Sequence, residues 1–321
     1  MTPLRLWQAQ LDDRDLAARL DLLMDHKRFF SAEDEKCAEN LVSITDKREY
    51  KKDFLRFIGL LNTNAIEVHK GQGRAIFPTF SFLSHSCINN ARHIIEPFGD
   101  KFKISLYAQV DIEANEELTI TYINLLRPTF ERREKLEYLW HFVCQCPRCQ
   151  DPTELGSFIG HVKCPQCKKV MKNKLKSSET FNCCISVTYA QVQGMTNQLL
   201  QHLNGIISDQ ADELNSEKVE DFLVFIQDYV HENHFLRVLA KRLLSQVCDD
   251  KGRKKMVCEE LLQVFDKLDP GLSHSRGMTL IELYKATSNE DLVPQIRDCL
   301  SREPKDSVAG KAYINFCKKV A

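Results

Sequence analysis

The spacing of hydrophobic residues changes along the first part of the chain. Residues 1 to about 60 carry apolar side chains three and four positions apart, as in LAARLDLLMDHKRFF and YKKDFLRFIGLL, which predicts amphipathic helices. From residue 61 to about 125 the apolar residues fall in short β-rich runs that Gly, Pro, Asn and Asp interrupt. This pattern predicts short strands, with EPFGDK as a hairpin turn between ARHII and FKISLYAQV.

The helical pattern returns after about residue 126 and, beyond a cysteine-rich window, continues almost to the end of the chain. After Gln191, successive amphipathic stretches follow one another, from TNQLLQHLNGIISDQ to LVPQIRDCLSR. They contain no strict sequence repeat. We therefore expect an all-helical C-terminal array of antiparallel helices.

The composition is that of a soluble globular protein, with 43% apolar and 28% charged residues. Because 44 basic residues nearly cancel 45 acidic ones, no global positive field favours nucleic acid, and the basic run KKVMKNKLK is short. The N-terminus mixes acids and bases, unlike a secretory signal, and no apolar run is long enough to span a bilayer. We expect an intracellular protein that binds neither membranes nor, directly, nucleic acid.

The chain has 13 cysteines, which in a reducing compartment are thiols or metal ligands rather than disulfides. Five are scattered through helical patterns, where we expect them to be small core residues. Seven crowd into one window: Cys144, Cys146, Cys149, Cys164, Cys167, Cys183 and Cys184. This crowding indicates metal binding.

The segment CQCPRC contains three of these thiols, Cys144, Cys146 and Cys149, within six residues. A structural zinc site usually has four tetrahedral ligands, so a fourth must come from elsewhere in the chain. The alternative is coincidental clustering, which is disfavoured because Pro147 and Arg148 indicate a turn rather than a core strand.

A second knuckle, KCPQCKK, presents Cys164 and Cys167 with the spacing of a zinc ribbon. Its partner should be another Cys-x2-Cys, but the chain offers NCCIS, with Ser186 where the last sulfur would lie. Adjacent residues rarely direct both sulfurs at one ion. We therefore expect Cys183 to be the third ligand, with a defective site as the alternative.

The stretch FLSHSCINN leaves three roles open for Cys87: nucleophile, metal ligand or packing residue. The order SHSC-x2-N, then EELTITY, then F-x-C-x-C-x2-C resembles the SET-domain lysine methyltransferases, and within them the SMYD group. KLDPGLSHSRGMTLIELYKA and VHENHFL resemble segments of that family's C-terminal helices. The second knuckle is similar to the arthropod SmydA branch. The resemblance covers nearly the whole chain.

The resemblance implies an α+β fold in four segments. These are a helical insert of the SET region over 1–60, the C-terminal half of the SET β-fold over 61–126, a zinc-binding post-SET segment over 127–190, and an all-α domain over 191–321. It also implies that Cys87 completes the zinc site of Cys144, Cys146 and Cys149. Cys87 would then be a metal-held thiolate; the alternative is a buried free thiol.

The family methylates a lysine amine with S-adenosylmethionine, and the resemblance assigns the tyrosine at the throat of the lysine channel to Tyr122. The alternative for Tyr122 is a strand residue packed in the core. His85 would contact the cofactor largely through its backbone. Asn64, Ser81 and Phe142 match positions that line the cofactor pocket, although a turn residue and a solvated hydroxyl are equal alternatives for Asn64 and Ser81.

Three departures from the family pattern bear on activity. Ser84 stands where the family has a cofactor-binding Asn, and a lost hydrogen bond to a charged group costs about 1.5–3 kcal/mol. Trp140 stands where many relatives have a Tyr at the lysine channel. The chain also begins after the Gly-x-Gly cofactor strand and the MYND zinc module, as expected of a fragment, a mispredicted gene start or a shortened isoform.

Two functions follow as hypotheses. The first is a methyltransferase that uses S-adenosylmethionine and Zn²⁺, acts on histone tails or other lysine-containing peptides, and works in the nucleus and cytoplasm with chromatin or chaperone partners. The second is a catalytically inactive relative that serves as a zinc-stabilised protein-interaction module in transcriptional regulation. From the departures we expect weak activity or none.

Overall fold

The computed structural model describes residues 2–68, 73–99, 101–171, 180–208 and 214–320. Within these ranges the chain forms thirteen α-helices and eight β-strands, so the α+β class predicted from the sequence is confirmed. No described helix combines the length and the apolar character that crossing a membrane requires.

The helices account for most of the regular structure. Their bounds are α1 Thr2–Asp12, α2 Arg14–Asp21, α3 Ala32–Thr45, α4 Lys51–Asn64, α5 Thr129–Trp140, α6 Pro147–Gln150, α7 Tyr189–Ser208, α8 Ser216–Ile226, α9 Phe235–Val247, α10 Lys251–Leu268, α11 His274–Thr287, α12 Leu292–Leu300 and α13 Val308–Val320. The helices predicted before residue 60 and after Gln191 are therefore present.

The strands form two-stranded sheets. Their bounds are β1 Ala65–Val68, β2 Gly73–Ile76, β3 Ser84–His85, β4 Ala91–Phe98, β5 Lys101–Ala108, β6 Thr119–Ile120, β7 Thr180–Asn182 and β8 Ser186–Thr188. The pairs are β1 with β2, β3 with β6, β4 with β5, and β7 with β8. The predicted hairpin after ARHII is confirmed as β4 and β5, and Gly99 begins its turn at φ +61°. Asp100, the next residue of that turn, lies outside the described residues.

The chain divides into two compact units. The first contains the residues up to Ser84 together with His93–Leu106 and Tyr138–His141, and the second contains His85–Arg92, Tyr107–Glu137 and the residues from Phe142 onward.

The core of the first unit lies among its N-terminal helices. Residue Ser31 begins α3 with a reciprocal cap, since its hydroxyl accepts the backbone N–H of Asp34 and its own N–H donates to the Asp34 carboxylate. Helix α4 buries Phe54, Phe57 and Ile58 along one face, a spacing of three and four residues. Trp7 from α1 packs edge-on against Phe54, with ring centroids 5.6 Å apart.

The second unit has two apolar cores in its helical part. One is formed by α7 to α10 and the segment before them, and includes Ile159, Phe222 and Phe265. The other is formed by α11 to α13 with Cys258 of α10. Cys258 and Cys299 lie in this second core and Cys248 lies in the first, as expected for scattered helical cysteines. The expectation is wrong for Cys37 and Cys317, which are exposed.

The loop between α10 and α11 contacts Gln109, the residue that follows β5. Gly271 adopts φ +74°, and an added Cβ there would overlap the carbonyl oxygen of Gln109. The Gln109 amide donates to Asp269 and to the Pro270 carbonyl, both at 2.8 Å, and the Gln109 carbonyl accepts from Leu272 N at 2.8 Å. The DPGL turn thus fits Gln109 through close backbone contact, for which glycine is required.

Candidate functional site

A buried asparagine ties the FLSHSCINN loop to the segment that carries the candidate tyrosine. The Asn90 amide donates to Glu116 Oε1 at 3.0 Å and to the Glu117 carbonyl at 2.9 Å, and its Oδ1 accepts from Thr119 N at 2.9 Å. Ser86 N also donates to the Ile120 carbonyl at 3.0 Å. Glu116 therefore has a structural role, and the loop and β6 are held in a fixed register.

This register brings three of the predicted site residues of the second unit together. The Tyr122 backbone N–H donates to His85 Nδ1 at 3.1 Å, and the two rings lie 5.3 Å apart. The Phe142 ring lies 6.1 Å from the His85 ring on centroids. Because Nδ1 of His85 accepts this hydrogen bond, the ring hydrogen of the neutral imidazole is on Nε2, which donates a hydrogen bond to Cys87 Sγ at 3.3 Å.

Burial sets the protonation of these side chains. It lowers the pKa of His85 to about 4, so the imidazole is neutral at neutral pH. Burial also raises the pKa of Tyr122, so its phenol keeps its proton and can donate or accept a hydrogen bond. Tyr122 is half-buried rather than sealed in a core.

The remaining predicted cofactor residues lie in the first unit. The Asn64 amide, at the end of α4, donates to the carbonyls of Met24 and Leu60 at 2.9 and 3.0 Å, as a helix-terminus residue would. Ser81 Oγ donates to the Phe77 carbonyl at 3.1 Å. Ser84 is exposed at the start of β3. These contacts favour structural roles for Asn64 and Ser81, and their contact with a cofactor stays a prediction.

Trp140, which stands at the end of α5 where many SMYD relatives have a Tyr, donates its indole N–H to the Thr63 carbonyl at 3.0 Å. This bond fixes its ring within the first unit.

The four cysteines expected to share one metal ion do converge. The sulfurs of Cys87, Cys144, Cys146 and Cys149 all lie within 4.8 Å of one another. Cys87 Sγ is 4.0 Å from Cys144 Sγ and 3.5 Å from Cys149 Sγ. A tetrahedral zinc with Zn–S bonds of about 2.3 Å requires sulfurs about 3.8 Å apart, so the donor set fits zinc.

The local sequence explains how three ligands arise within six residues. Cys146 precedes α6, Pro147 takes the first helical position, where no N–H is needed, and Gln150 N donates to the Cys146 carbonyl at 3.1 Å. This single turn places Cys149 beside Cys146. The side chain of Arg133 holds the Cys144 carbonyl from α5 at 3.1 Å.

A buried ionic cluster beside these sulfurs has no signal in the sequence. Arg132 of α5 and Arg148 of α6 both contact Glu154, at 2.6 and 3.0 Å, and all three side chains are almost fully buried. Burial opposes the charge of Glu154, but the two guanidinium groups outweigh it and lower the pKa of its carboxyl. Arg132 also donates to two of the cysteines.

The second cysteine group contains one ligand more than expected. The sulfurs of Cys164, Cys167, Cys183 and Cys184 lie within 4.8 Å of one another, with Cys167 to Cys183 at 3.3 Å and Cys183 to Cys184 at 4.0 Å. The expectation that adjacent cysteines would not converge is therefore wrong for this chain. The tight turn between β7 and β8, closed by Cys183 N donating to the Ile185 carbonyl, brings both sulfurs to the knuckle.

The knuckle itself is stabilised by backbone hydrogen bonds. Lys168 adopts a left-handed conformation, and its N–H donates to the Cys164 carbonyl at 2.9 Å. The backbone N–H of Cys167 donates to the Cys164 sulfur and holds the pKa of that thiol at about 6. Such a thiol is ready to act as a thiolate ligand at neutral pH.

Comparisons with known proteins agree with this geometry. Residues 10–123 match the SET domain family model, and this range includes His85, Cys87 and Tyr122. The chain is 34% identical over 271 residues to the Drosophila melanogaster SET domain-containing protein SmydA-8, isoform B, covering 76% of this chain and 58% of that protein. The chain carries a SET domain of the SMYD type. The aligned length is more than twice the SET match, so the likeness to SmydA-8 extends into the segments after the SET domain.

Other relatives share the SET domain region. A histone-lysine N-methyltransferase, SET5 of Saccharomyces cerevisiae (strain YJM789), is 35% identical over 124 residues, 39% of this chain and 22% of that protein. A SET and MYND domain-containing protein of Dictyostelium discoideum is 35% identical over 100 residues, 30% of this chain and 25% of that protein. The SMYD-type chain thus spans less than two thirds of each of these relatives.

Proposed function

We propose that this chain is the catalytic part of an S-adenosylmethionine-dependent protein-lysine methyltransferase. The proposal depends on one observation. His85, Tyr122 and Phe142 lie together, and His85 contacts Cys87 of the first cysteine group. The name of the SET5 relative, a histone-lysine N-methyltransferase, supports the reaction class.

The residues fit a cationic methyl donor and a lysine. S-adenosylmethionine, when bound, supplies a methyl group on a positively charged sulfur. The faces of Tyr122 and Phe142 suit such a cation, as aromatic rings do. The Tyr122 phenol, kept neutral by its raised pKa, can hydrogen-bond the lysine amine and orient its lone pair. The side chain contributes position rather than acid–base chemistry.

Asn64, Ser81 and Ser84 complete the proposed cofactor-binding residues. Their assignment depends on the match of their positions to the family pattern. Asn64 and Ser81 have fewer hydrogen-bond donors left for the cofactor, because both side chains already donate to backbone carbonyls.

Zn²⁺ is the proposed metal at both cysteine groups. The first site uses Cys87, Cys144, Cys146 and Cys149, and the second uses Cys164, Cys167, Cys183 and Cys184. All-cysteine tetrahedral sites are structural, so the metal would hold the fold rather than react.

The proposed substrates are lysine side chains of proteins, either histone tails or other lysine-containing peptides. Histone tails are proposed because the SET5 relative is named a histone-lysine N-methyltransferase. Chromatin or chaperone partners, and a nuclear and cytoplasmic location, belong to the same proposal.

The test is methyl transfer from labelled S-adenosylmethionine to core histones, with cofactor binding measured by calorimetry. Tyr122→Phe is expected to abolish transfer while leaving cofactor affinity and zinc content unchanged. Tyr138→Phe is the matched control, because Tyr138 is 79% exposed, and it should be as active as the unsubstituted chain. Measurable transfer that is equal in the Tyr122→Phe variant and the unsubstituted chain would refute the role of the phenol, and no transfer by the unsubstituted chain would refute the proposed activity of this chain.

A second candidate is a catalytically inactive relative that acts as a protein-interaction module. Ser84 favours it, because this exposed residue occupies the family's cofactor-binding Asn position and is too short to replace that side chain. Ser84→Asn separates the two hypotheses. If the variant binds S-adenosylmethionine at least tenfold more tightly than the unsubstituted chain, the lost asparagine limits the natural activity.

A further inference from the structure

All of the hydrogen-bond donors of Arg132, which lies beside the first cysteine group, have acceptors. A guanidinium has five N–H donors in a planar fork. Those of Arg132 meet five acceptors at 2.5–3.4 Å: Cys87 Sγ, Cys149 Sγ, Glu154 Oε2, the Arg127 carbonyl and Thr129 Oγ1. Two of the five are sulfurs, at 3.2 and 3.4 Å.

The orientation of this fork is fixed from the side away from the sulfurs. Glu154 Oε2 accepts from Arg132 at 2.6 Å and from Arg148 at 3.0 Å, and Glu154 Oε1 accepts the backbone N–H of Thr129 at 2.9 Å. The carboxylate therefore joins the start of α5 to the helix that carries Cys149. Arg132 cannot turn from the sulfurs without leaving this carboxylate.

The charges of this buried cluster do not balance within it. Two guanidinium groups face one carboxylate, which leaves one positive charge, and the side chains of Arg132 and Arg148 are 0% exposed. An unbalanced buried charge is costly unless an opposite charge lies nearby. Glu131 also acts on Arg132 but is already paired with Arg127 at 3.6 Å, so the remaining nearby groups able to carry negative charge are the cysteine sulfurs, which become thiolates when they bind a metal.

We propose that Arg132, held by Glu154, is a positioning residue of the first zinc site that donates hydrogen bonds to the thiolates of Cys87 and Cys149. The inference rests on the zinc assignment made above but not on methyltransferase activity. Zn²⁺ with four thiolates has a net charge of −2, and the cluster of Arg132, Arg148 and Glu154 offsets half of it.

The hydrogen bonds have a chemical consequence for metal retention. A thiolate that accepts a hydrogen bond from a cation is less electron-rich, so protons and other electrophiles attack it more slowly. Second-shell partners of this kind typically change metal affinity 10–100-fold when they are removed. Zinc is thus retained by Arg132 although only sulfur touches the metal.

The experiment measures zinc release from the full chain to a chromogenic chelator at neutral pH. Each chain should release two zinc ions, one from each cysteine group, and Arg132→Gln should accelerate one phase at least about tenfold. The other phase is an internal control. Lys135→Gln removes the same charge from an exposed position of α5 and should leave both phases unchanged.

Spectroscopy of the cobalt-substituted chain separates hydrogen bonding from a general loss of stability. More electron-rich thiolates transfer charge to the metal at lower energy, so the charge-transfer band of Arg132→Gln should move to longer wavelength. Arg132→Lys keeps the charge but lacks the planar fork. It should give a charge-transfer band at an intermediate wavelength and an intermediate rate of zinc release. If Arg132→Gln does not fold, Arg132→Lys tests the proposal in its place.

The proposal is overturned if a folded Arg132 variant releases zinc at the unsubstituted rate with an unshifted band. Absence of zinc from the first group of the unsubstituted chain would instead overturn the metal assignment itself. That result is recognised because Cys87→Ser would then leave the metal content unchanged.

Discussion

His234 should make the second unit sensitive to mild acid. Its ring is 1% exposed, and its Nδ1 accepts the backbone N–H of Leu236 at 3.3 Å as the cap of α9. Burial, reinforced by the nearby His161 and His231, lowers the pKa of His234 to about 3 from 6.5. The folded chain therefore holds a neutral imidazole at any pH above about 4, whereas the unfolded chain protonates it below 6.5.

The sign and size of the effect follow from this difference. Since the unfolded state binds the proton more tightly, stability is lost as pH falls through 6.5 and the loss ends only near pH 3. At pH 5, protonation of His234 favours the unfolded state by a factor of about 33. The free energy of unfolding therefore falls by about 2 kcal/mol. The pKa values of His161 and His231 are also lowered by burial, so they add to the loss in the same direction.

The assay is urea unfolding at pH 7 and pH 5, comparing the unsubstituted chain with His234→Asn. Asn can cap α9 but does not titrate. The smaller side chain should cost about 1 kcal/mol at pH 7 by leaving space in the core. Between pH 7 and pH 5 the variant should lose about 2 kcal/mol less than the unsubstituted chain. Acid also weakens metal binding, but both proteins share that loss, so equal losses would refute the reasoning about His234.

Two further predictions concern other parts of the second unit. Gly271→Ala should destabilise the chain by at least about 3 kcal/mol, because its φ of +74° and its contact with the Gln109 carbonyl both exclude a Cβ. Gly194→Ala, in the open interior of α7, should instead stabilise it by about 0.5–1 kcal/mol, and a melting curve compares the two. Cys87→Ser should halve the zinc content measured by elemental analysis, whereas Cys37→Ser, outside both cysteine groups, should not change it.

The sequence predicted the helices and the main hairpin because their signals are local. Apolar spacing of three and four residues defined α4 and the helices after Gln191, and Gly99 marked the turn after β4. The strand content was harder to predict, since EELTITYI contributes only the two residues of β6. That segment is instead held by the Asn90 side chain, a long-range contact that periodicity does not reveal.

The cysteine groups were predictable only as far as spacing determines geometry. Cys144, Cys146 and Cys149 share one short turn, so their convergence followed from the sequence. The convergence of Cys184 with the other sulfurs could not be predicted from the sequence, because the turn between β7 and β8 sets the direction of its sulfur. Glu154 gave no signal at all. Its partners Arg132 and Arg148 lie 22 and 6 residues away, on two helices.

The metal site and the candidate tyrosine are joined through one histidine. His85 donates its Nε2 hydrogen to Cys87 Sγ and accepts the Tyr122 N–H at Nδ1, so its ring has a fixed partner on each side. With zinc bound as proposed, a sulfur held by the metal and by Arg132 would fix this ring, and the ring in turn would fix the backbone of Tyr122. The proposed metal would thus act on the Tyr122 backbone, from which the phenol extends, through the chain of contacts from Cys87 to His85 to Tyr122 N.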